Sequence, residues 1–443
     1  MTSFTLPTAF NLRPHNELIA FVGGGGKTSL LFALGAALPG GRLLTTTTRI
    51  FAAQMSRAEA VIFFTAEDAE GAERKIGEAL DELGVCLVVG GTTGDKAVGV
   101  PPELPGVWLA RPDVNFVLVE ADGSRMRPIK APAAHEPVIP PASTLVVPVV
   151  GIDALDGRFL DVIHRPEIAA ELLSVVGERL SVADVARLIA HPQGGLKGVP
   201  EGARVVPFIN KVETAAQLSA ARQIAHHLLH TPRIEQVIIG AAKTEQPVRE
   251  VHRRVTAVIL AAGEGKRMGQ QTKQLLPWGS TTVLGQTLRN VQQTAVYHTL
   301  VVTGHEAEAV RQIAHRAGVD TLHNPTYAAG EMLSSLQTAV RALDESVTAV
   351  LVLLADQPMV QPETMDRLLA AYWQGHGDLI APTFNGQRGN PVLIGRPFFA
   401  ELLALPPGDA PRTLLRRHAD QLHLVPVPTD DILRDLDSPE QYE

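Results

Sequence analysis

Short apolar, β-branched runs alternate with amphipathic stretches along the whole chain. That alternation predicts an α/β protein of three-layer domains, with parallel sheets covered by helices. In the first half, 18–22, 42–46, 60–64, 85–89, 116–120, 144–149, 204–209 and 235–240 read as strands, and 28–38, 67–83, 167–176, 181–190 and 214–229 as helices. Residues 241–254, AAKTEQPVREVHRR, are polar and predict no strand, so the boundary is placed there, between domains of residues 1–245 and 253–443. A second series follows, with strands at 255–260, 298–303, 349–354, 378–382 and 390–394 and helices at 281–293, 306–316, 332–343 and 362–373. No internal repeat is visible.

A length of 443 residues suits two or three domains rather than one core. The 45% hydrophobic and 19% charged content is that of an ordinary globular protein, and a net charge of −8 argues against bulk nucleic-acid binding. The single cysteine, Cys86, excludes an intramolecular disulfide and a cysteine metal cluster. Between Val85 and Leu87 it reads as a buried thiol. The N-terminal stretch has no signal-peptide pattern. No apolar run reaches the roughly 18 residues of a membrane span, so a cytoplasmic protein without a membrane partner is expected.

The segment VTAVILAAGEGKRMGQQTKQLLPWG, residues 255–279, carries the sharpest chemistry. A strand ends in Leu260, Ala261, Ala262 and Gly263, small enough for a nucleoside to lie against the backbone. Gly263, Gly265 and Gly269 permit a turn and close approach of phosphate oxygens. Arg267 and Lys273 offer positive charge to a triphosphate and to the pyrophosphate that would leave. In LVLLADQP, Asp356 stands just past a buried strand, where an Mg²⁺ ligand belongs in an open parallel sheet. These features predict transfer of a nucleotidyl group, with a nucleoside triphosphate as substrate.

The same segment resembles the MobA/MocA family of molybdenum-cofactor nucleotidyltransferases, of Rossmann-like fold, over residues 255–443. The likeness rests on Leu260 to Pro277, on Gly330 to Leu336 with Ser335 in the serine place, on Leu354 to Pro358, on Arg388-Gly389-Asn390-Pro391-Val392 with Asn390 for histidine, and on Asp435 to Glu440. The resemblance implies that Asp435 or Asp437 joins Asp356 at the metal and that Ser335 belongs to the nucleotide site. Ala262, where guanylyl-transferring relatives usually carry glycine, points to the cytidylyl branch, with CTP as donor and molybdopterin as acceptor. A sugar- or polyol-phosphate nucleotidyltransferase, and a cofactor-binding chaperone without turnover, remain open alternatives.

In the first half, LIAFVGGGGKTSLLFALGAAL reads as a strand, a glycine loop and a helix. Gly24, Gly25, Gly26, Lys27 and Thr28 form a P-loop-like phosphate site at the helix start. Phe21 occupies the place of the first P-loop glycine, so a shorter or differently shaped loop is expected. Glu120 and Asp122, closing FVLVEADGS, are a candidate Mg²⁺-side acidic pair. Asn210-Lys211-Val212-Glu213 is close to the N-K-x-D with which GTPases read guanine, with Glu213 for aspartate. Together with Glu120 to Pro140, these pieces resemble the YqeC family of accessory proteins for selenium-dependent molybdenum hydroxylases, over roughly residues 10–240. The resemblance implies a molybdenum hydroxylase as partner, and it draws attention to His164-Arg165-Pro166-Glu167, His135, Arg125, Arg127 and Lys130.

Overall fold

Strand β1 (Glu17–Gly23) is buried along nearly its whole length, as a strand covered on both faces must be. Ile19 and Phe21 face one apolar cluster, while Leu18 belongs to another, the alternation a pleated strand imposes. The computed structural model describes residues 4–94, 96–174, 177–263 and 272–436. It divides into two compact units, residues 3–252 and 253–443.

In the first unit β1 leads into helix α1 (Lys27–Ala37). The strands β2 (Arg42–Thr46), β3 (Val61–Phe63), β4 (Val85–Val89), β5 (Phe116–Glu120), β6 (Leu145–Gly151), β7 (Phe208–Asn210) and β8 (Gln236–Gly240) follow. They pair in the order β3–β4–β2–β5–β1–β6–β7–β8, all parallel. The order reverses direction around β1, so the carboxyl ends of β1, β5 and β6 frame the crevice where open α/β sheets bind ligands.

In the second unit β9 (Val248–Ala261) is central. With β10 (His298–Thr303), β11 (Asp320–His323), helix α2 (Tyr327–Ala342), β12 (Val347–Leu354), β13 (Leu379–Phe384), β14 (Val392–Gly395) and β15 (Leu422–Pro426) it builds a second sheet. The order is β11–β10–β9–β12–β14–β13–β15, and β14 alone among these runs antiparallel to its neighbours. Ala257, Ile259 and Ala261 pack into one cluster and Val258 into the opposite one, which makes three layers.

Three expectations need correction. Residues 241–254 are not strand-free, because β9 begins at Val248. Glu250 and His252 are buried there by pairing: Arg222 donates to both oxygens of Glu250, at 3.0 and 2.5 Å, and the His252 imidazole meets Glu250 at 2.8 Å. The run 204–209 is two pieces, Arg204–Val205 and Phe208–Asn210. The break falls at Pro207, which has no N–H for the ladder. Helix α2 starts at Tyr327, earlier than the 332 read from periodicity. No described helix is long and apolar enough to cross a membrane.

Candidate functional site

The second unit holds a cavity of about 250 Å³ at the carboxyl ends of β9 and β12. Leu260, Ala261, Ala262 and Gly263 form one wall, facing Lys273, Ser335 and Asp356. A methyl group built on Gly263 would meet no atom of the described residues within 4 Å. Gly304 closes the other side of Ala262: a Cβ at Gly304 would come within 2.7 Å of the Ala262 Cβ and of Tyr327. Lys273 is buried, and its Nζ stands 3.9 Å from Asp356 Oδ2. Ser335 is buried inside α2, where its hydroxyl accepts from Asn324 Nδ2 at 3.0 Å.

The C-terminal acidic stretch comes to this place. The Gln357 amide donates to Asp435, and the Leu436 N–H donates to the Asp356 carbonyl at 3.4 Å. Asp435 therefore lies next to Asp356 in space, through Gln357, although it does not line the cavity. Gly265, Arg267 and Asp437 lie outside the described residues. No group of three or more His, Cys, Asp or Glu among the described residues is arranged to hold a metal unaided. Mg²⁺ typically takes only one or two carboxylates and completes its shell with phosphate and water, and the Asp356 carboxylate, which lines the cavity, is an oxygen donor of that kind.

The first unit holds a larger cavity, about 1290 Å³. β1 runs two residues past Phe21 and ends at Gly23, so the loop Gly24–Gly26 is shorter than a full P-loop. Gly25 has φ +72°, and a Cβ there would lie 2.0 Å from the Gly151 amide nitrogen. α1 begins at Lys27 without a side-chain cap, which leaves N–H groups of its first turn for a ligand. Gly25, Gly26, Lys27, Thr28, Asn210 and Lys211 all line the cavity. Gly24 is tied back, its N–H donating to the Val149 carbonyl at 2.9 Å.

The carboxylate beside Thr28 is Glu120, which accepts its hydroxyl at 2.7 Å. Burial pushes the Glu120 carboxyl up, against the pull of Lys27 and Thr28. Asp122 lies beneath the loop instead. It accepts the Gly23 N–H at 3.1 Å and pairs with Lys27 at 3.2 Å and Lys130 at 3.1 Å. Lys130 continues to Glu136 at 2.8 Å, and Glu136 accepts from Arg165. Burial opposes the Glu136 charge, but hydrogen bonds from Lys130 and Arg165 bring it down to about 2. Burial, then the charges of Arg165 and Lys130, push His164 down to about 4. It therefore faces the cavity uncharged at neutral pH. Arg125, Met126, Arg165 and Lys211 all line this cavity with positive φ, and such backbone strain gathers at ligand sites.

Sequence reasoning missed Gln274 and Tyr327, which line the smaller cavity, and the buried Asn324 that holds Ser335. The signal for Asn324 was its place before Pro325 at a strand end. It also favoured neither acid of the pair Glu120 and Asp122 for the Thr28 contact. The strand's end separates them: Glu120 is the last residue of β5, and Asp122 lies beyond it.

Residues 19–167 match the YqeC protein family, and residues 257–422 match the MobA-like NTP transferase domain. The Escherichia coli K12 protein YqeC is 34% identical over 216 residues, 48% of this chain and 82% of that protein. The molybdenum cofactor cytidylyltransferase of the same organism is 28% identical over 190 residues, 42% of this chain and 93% of that enzyme. The nicotine blue oxidoreductase of Paenarthrobacter nicotinovorans is 28% identical over 194 residues, 42% of this chain and 94% of that protein.

Proposed function

From a chain that belongs to the YqeC family through its first half and carries a MobA-like NTP transferase domain in its second, a nucleotidyltransferase, we propose an enzyme of molybdenum cofactor maturation. The second unit joins CMP, drawn from CTP, to the phosphate of molybdopterin. The first unit binds a nucleotide in the loop Gly24–Thr28 and serves delivery or modification of the product to a molybdenum hydroxylase. The observation that carries the reading is the shared cavity of the Leu260–Gly263 wall, Lys273 and Asp356.

The wall seats the nucleoside, since neither Ala262 nor Gly263 projects a side chain that would lift it from the backbone. Lys273 lies against the phosphates and neutralises charge that builds on the α-phosphate and pyrophosphate. A phosphate oxygen of the acceptor forms a bond to the α-phosphorus, the bond from that phosphorus to the bridging oxygen breaks, and pyrophosphate leaves with the electron pair. A phosphate is already ionised at neutral pH, so no general base is required, and orientation supplies much of the acceleration. Asp356, with Asp435 beside it, would hold Mg²⁺, which when bound neutralises phosphate charge. Ala262 favours CTP, and the similarity to the E. coli cytidylyltransferase supports that donor.

Incubation with labelled CTP, Mg²⁺ and molybdopterin should release pyrophosphate, and Asp356→Ala should abolish release while leaving nucleotide binding measurable. Release with sugar or polyol phosphates but not with molybdopterin would move the acceptor to that class. Silence with all four nucleotides and active acceptor would refute transfer.

A further inference from the structure

Beyond Thr28, the first unit's cavity runs on to Asn210, Lys211, Glu213 and the turn at 241–244. Asn210 fixes the shape of this end before any ligand arrives. Its Nδ2 donates to the Gly25 carbonyl at 2.8 Å, and its Oδ1 accepts from the Ala242 N–H at 2.9 Å. One side chain, only 4% exposed, thereby joins the phosphate loop, the end of β7 and the turn after β8. Lys211 follows with φ +64°, and its ammonium is held by Asp153 at 2.6 Å. With its head engaged there, its four-carbon stem is the part left to meet a flat ring. Ala241 and Ala242 add small apolar surface to the same wall. Glu213 is exposed to the cavity, and its carboxylate has no side-chain hydrogen bond or ion pair among the described residues.

We infer that this end of the cavity reads a guanine base and that Glu213 is the specificity-determining residue. The inference rests on the reading of the cavity as a nucleotide site. Guanine presents two adjacent donors, N1–H and the 2-amino group, and an ionised carboxylate accepts both. Adenine places an acceptor, N1, in the same position, where it would face a negative oxygen. Cytosine likewise offers N3 as an acceptor, and uracil has a single N–H between two carbonyls. A site that hydrogen-bonds a base edge rejects an analogue lacking those donors strongly. Selection for guanine over adenine of at least ~10²-fold is expected on that ground.

The test is calorimetric titration of the full chain with GTP, ATP and XTP in Mg²⁺. Each titration is repeated in Lys27→Ala, so that the binding lost on that substitution belongs to this cavity rather than to the second unit. Circular dichroism checks that the variant is folded. Glu213→Gln, at an exposed position, is a second probe that does not threaten folding. Its amide still accepts from N1–H but donates where guanine also donates, and it suits the 2-carbonyl of xanthine. The wild type should prefer GTP to ATP by ~10²-fold or more, and Glu213→Gln should weaken GTP and strengthen XTP. Equal GTP and ATP binding in the wild type, or unchanged GTP affinity in Glu213→Gln, would overturn the base assignment and leave nucleotide binding standing. Absence of any Lys27-dependent nucleotide binding would overturn both.

Discussion

Replacing Lys273 with methionine keeps the volume and apolar stem of a buried side chain and deletes its charge. Lys273 Nζ lies 3.9 Å from Asp356 Oδ2, with side chains 10% and 26% exposed. A unit charge pair at that separation, at an effective dielectric near 20, is worth about 4 kcal/mol. The partial exposure of Asp356 and mobile counterions reduce such a contact by roughly a quarter to a half. About 2–3 kcal/mol remains for the same ammonium acting on a phosphoryl oxygen within this cavity, if the charge builds only as the bond breaks. That converts to a roughly 30- to 150-fold fall in kcat with a small change in KM. The assay is the initial rate of pyrophosphate release from CTP at saturating Mg²⁺ and acceptor, with thermal unfolding as a control for packing. A Lys273→Met enzyme within threefold of the wild-type kcat, in a preparation whose Asp356→Asn variant is silent, would remove Lys273 from the chemistry.

Gly25→Ala should abolish the thermal stabilisation that nucleotide gives the first unit, because the new methyl would sit 2.0 Å from the Gly151 nitrogen at φ +72°. The αL strain adds about 1–3 kcal/mol, and an unshifted melting curve with full nucleotide response would contradict it. Thr28→Val removes the hydroxyl that Glu120 accepts at 2.7 Å. Nucleotide binding to the first unit should then weaken roughly 10-fold and lose its Mg²⁺ dependence, as measured by titration with and without EDTA. Acid should weaken the first unit through Glu250. Burial opposes its charge, but hydrogen bonds from His252 and Arg222 hold it at about 2, against 4.5 when unfolded. A lowered folded value gives stability that is complete above about 4.5 and lost as pH falls toward 2, of order 3 kcal/mol. Urea midpoints of the wild type should fall across that window, while those of Glu250→Gln stay flatter. Parallel curves for the two proteins would contradict this.

The central strands were legible because burial on both faces makes them continuous apolar runs: 42–46, 85–89 and 116–120 are the strands found. Two edge strands, Asp320–His323 and Leu422–Pro426, were not. Each is half exposed and mixes polar with apolar residues, so periodicity gave no signal. The start of β9 was hidden for a different reason, since Glu250 and His252 are core residues by virtue of each other and Arg222, a pairing that local sequence does not display. At the sites, glycines and small residues announced the backbone that lies open to ligand. The positions of charges required the fold. Nothing in the spacing of Asp122 and Lys130 shows that they meet under the phosphate loop, and nothing short of β5 itself turns Glu120 toward Thr28. The contact between Gln357 and Asp435 bridges two distant stretches of chain in the same way.

Lys27 arrives at its loop already neutralised. The Gly23 carbonyl accepts its Nζ at 2.6 Å, and Asp122 and Glu120 lie 3.2 and 4.0 Å away. Entry of an anion is therefore ion exchange rather than ion capture: the newcomer must out-compete carboxylates that are permanently on hand. Chloride or acetate offers Lys27 nothing better than it has, whereas a polyphosphate that also fills the N–H groups of the first helical turn does. On departure Lys27 falls back to its own acids, so the loop resets between ligands with no segment left to refold.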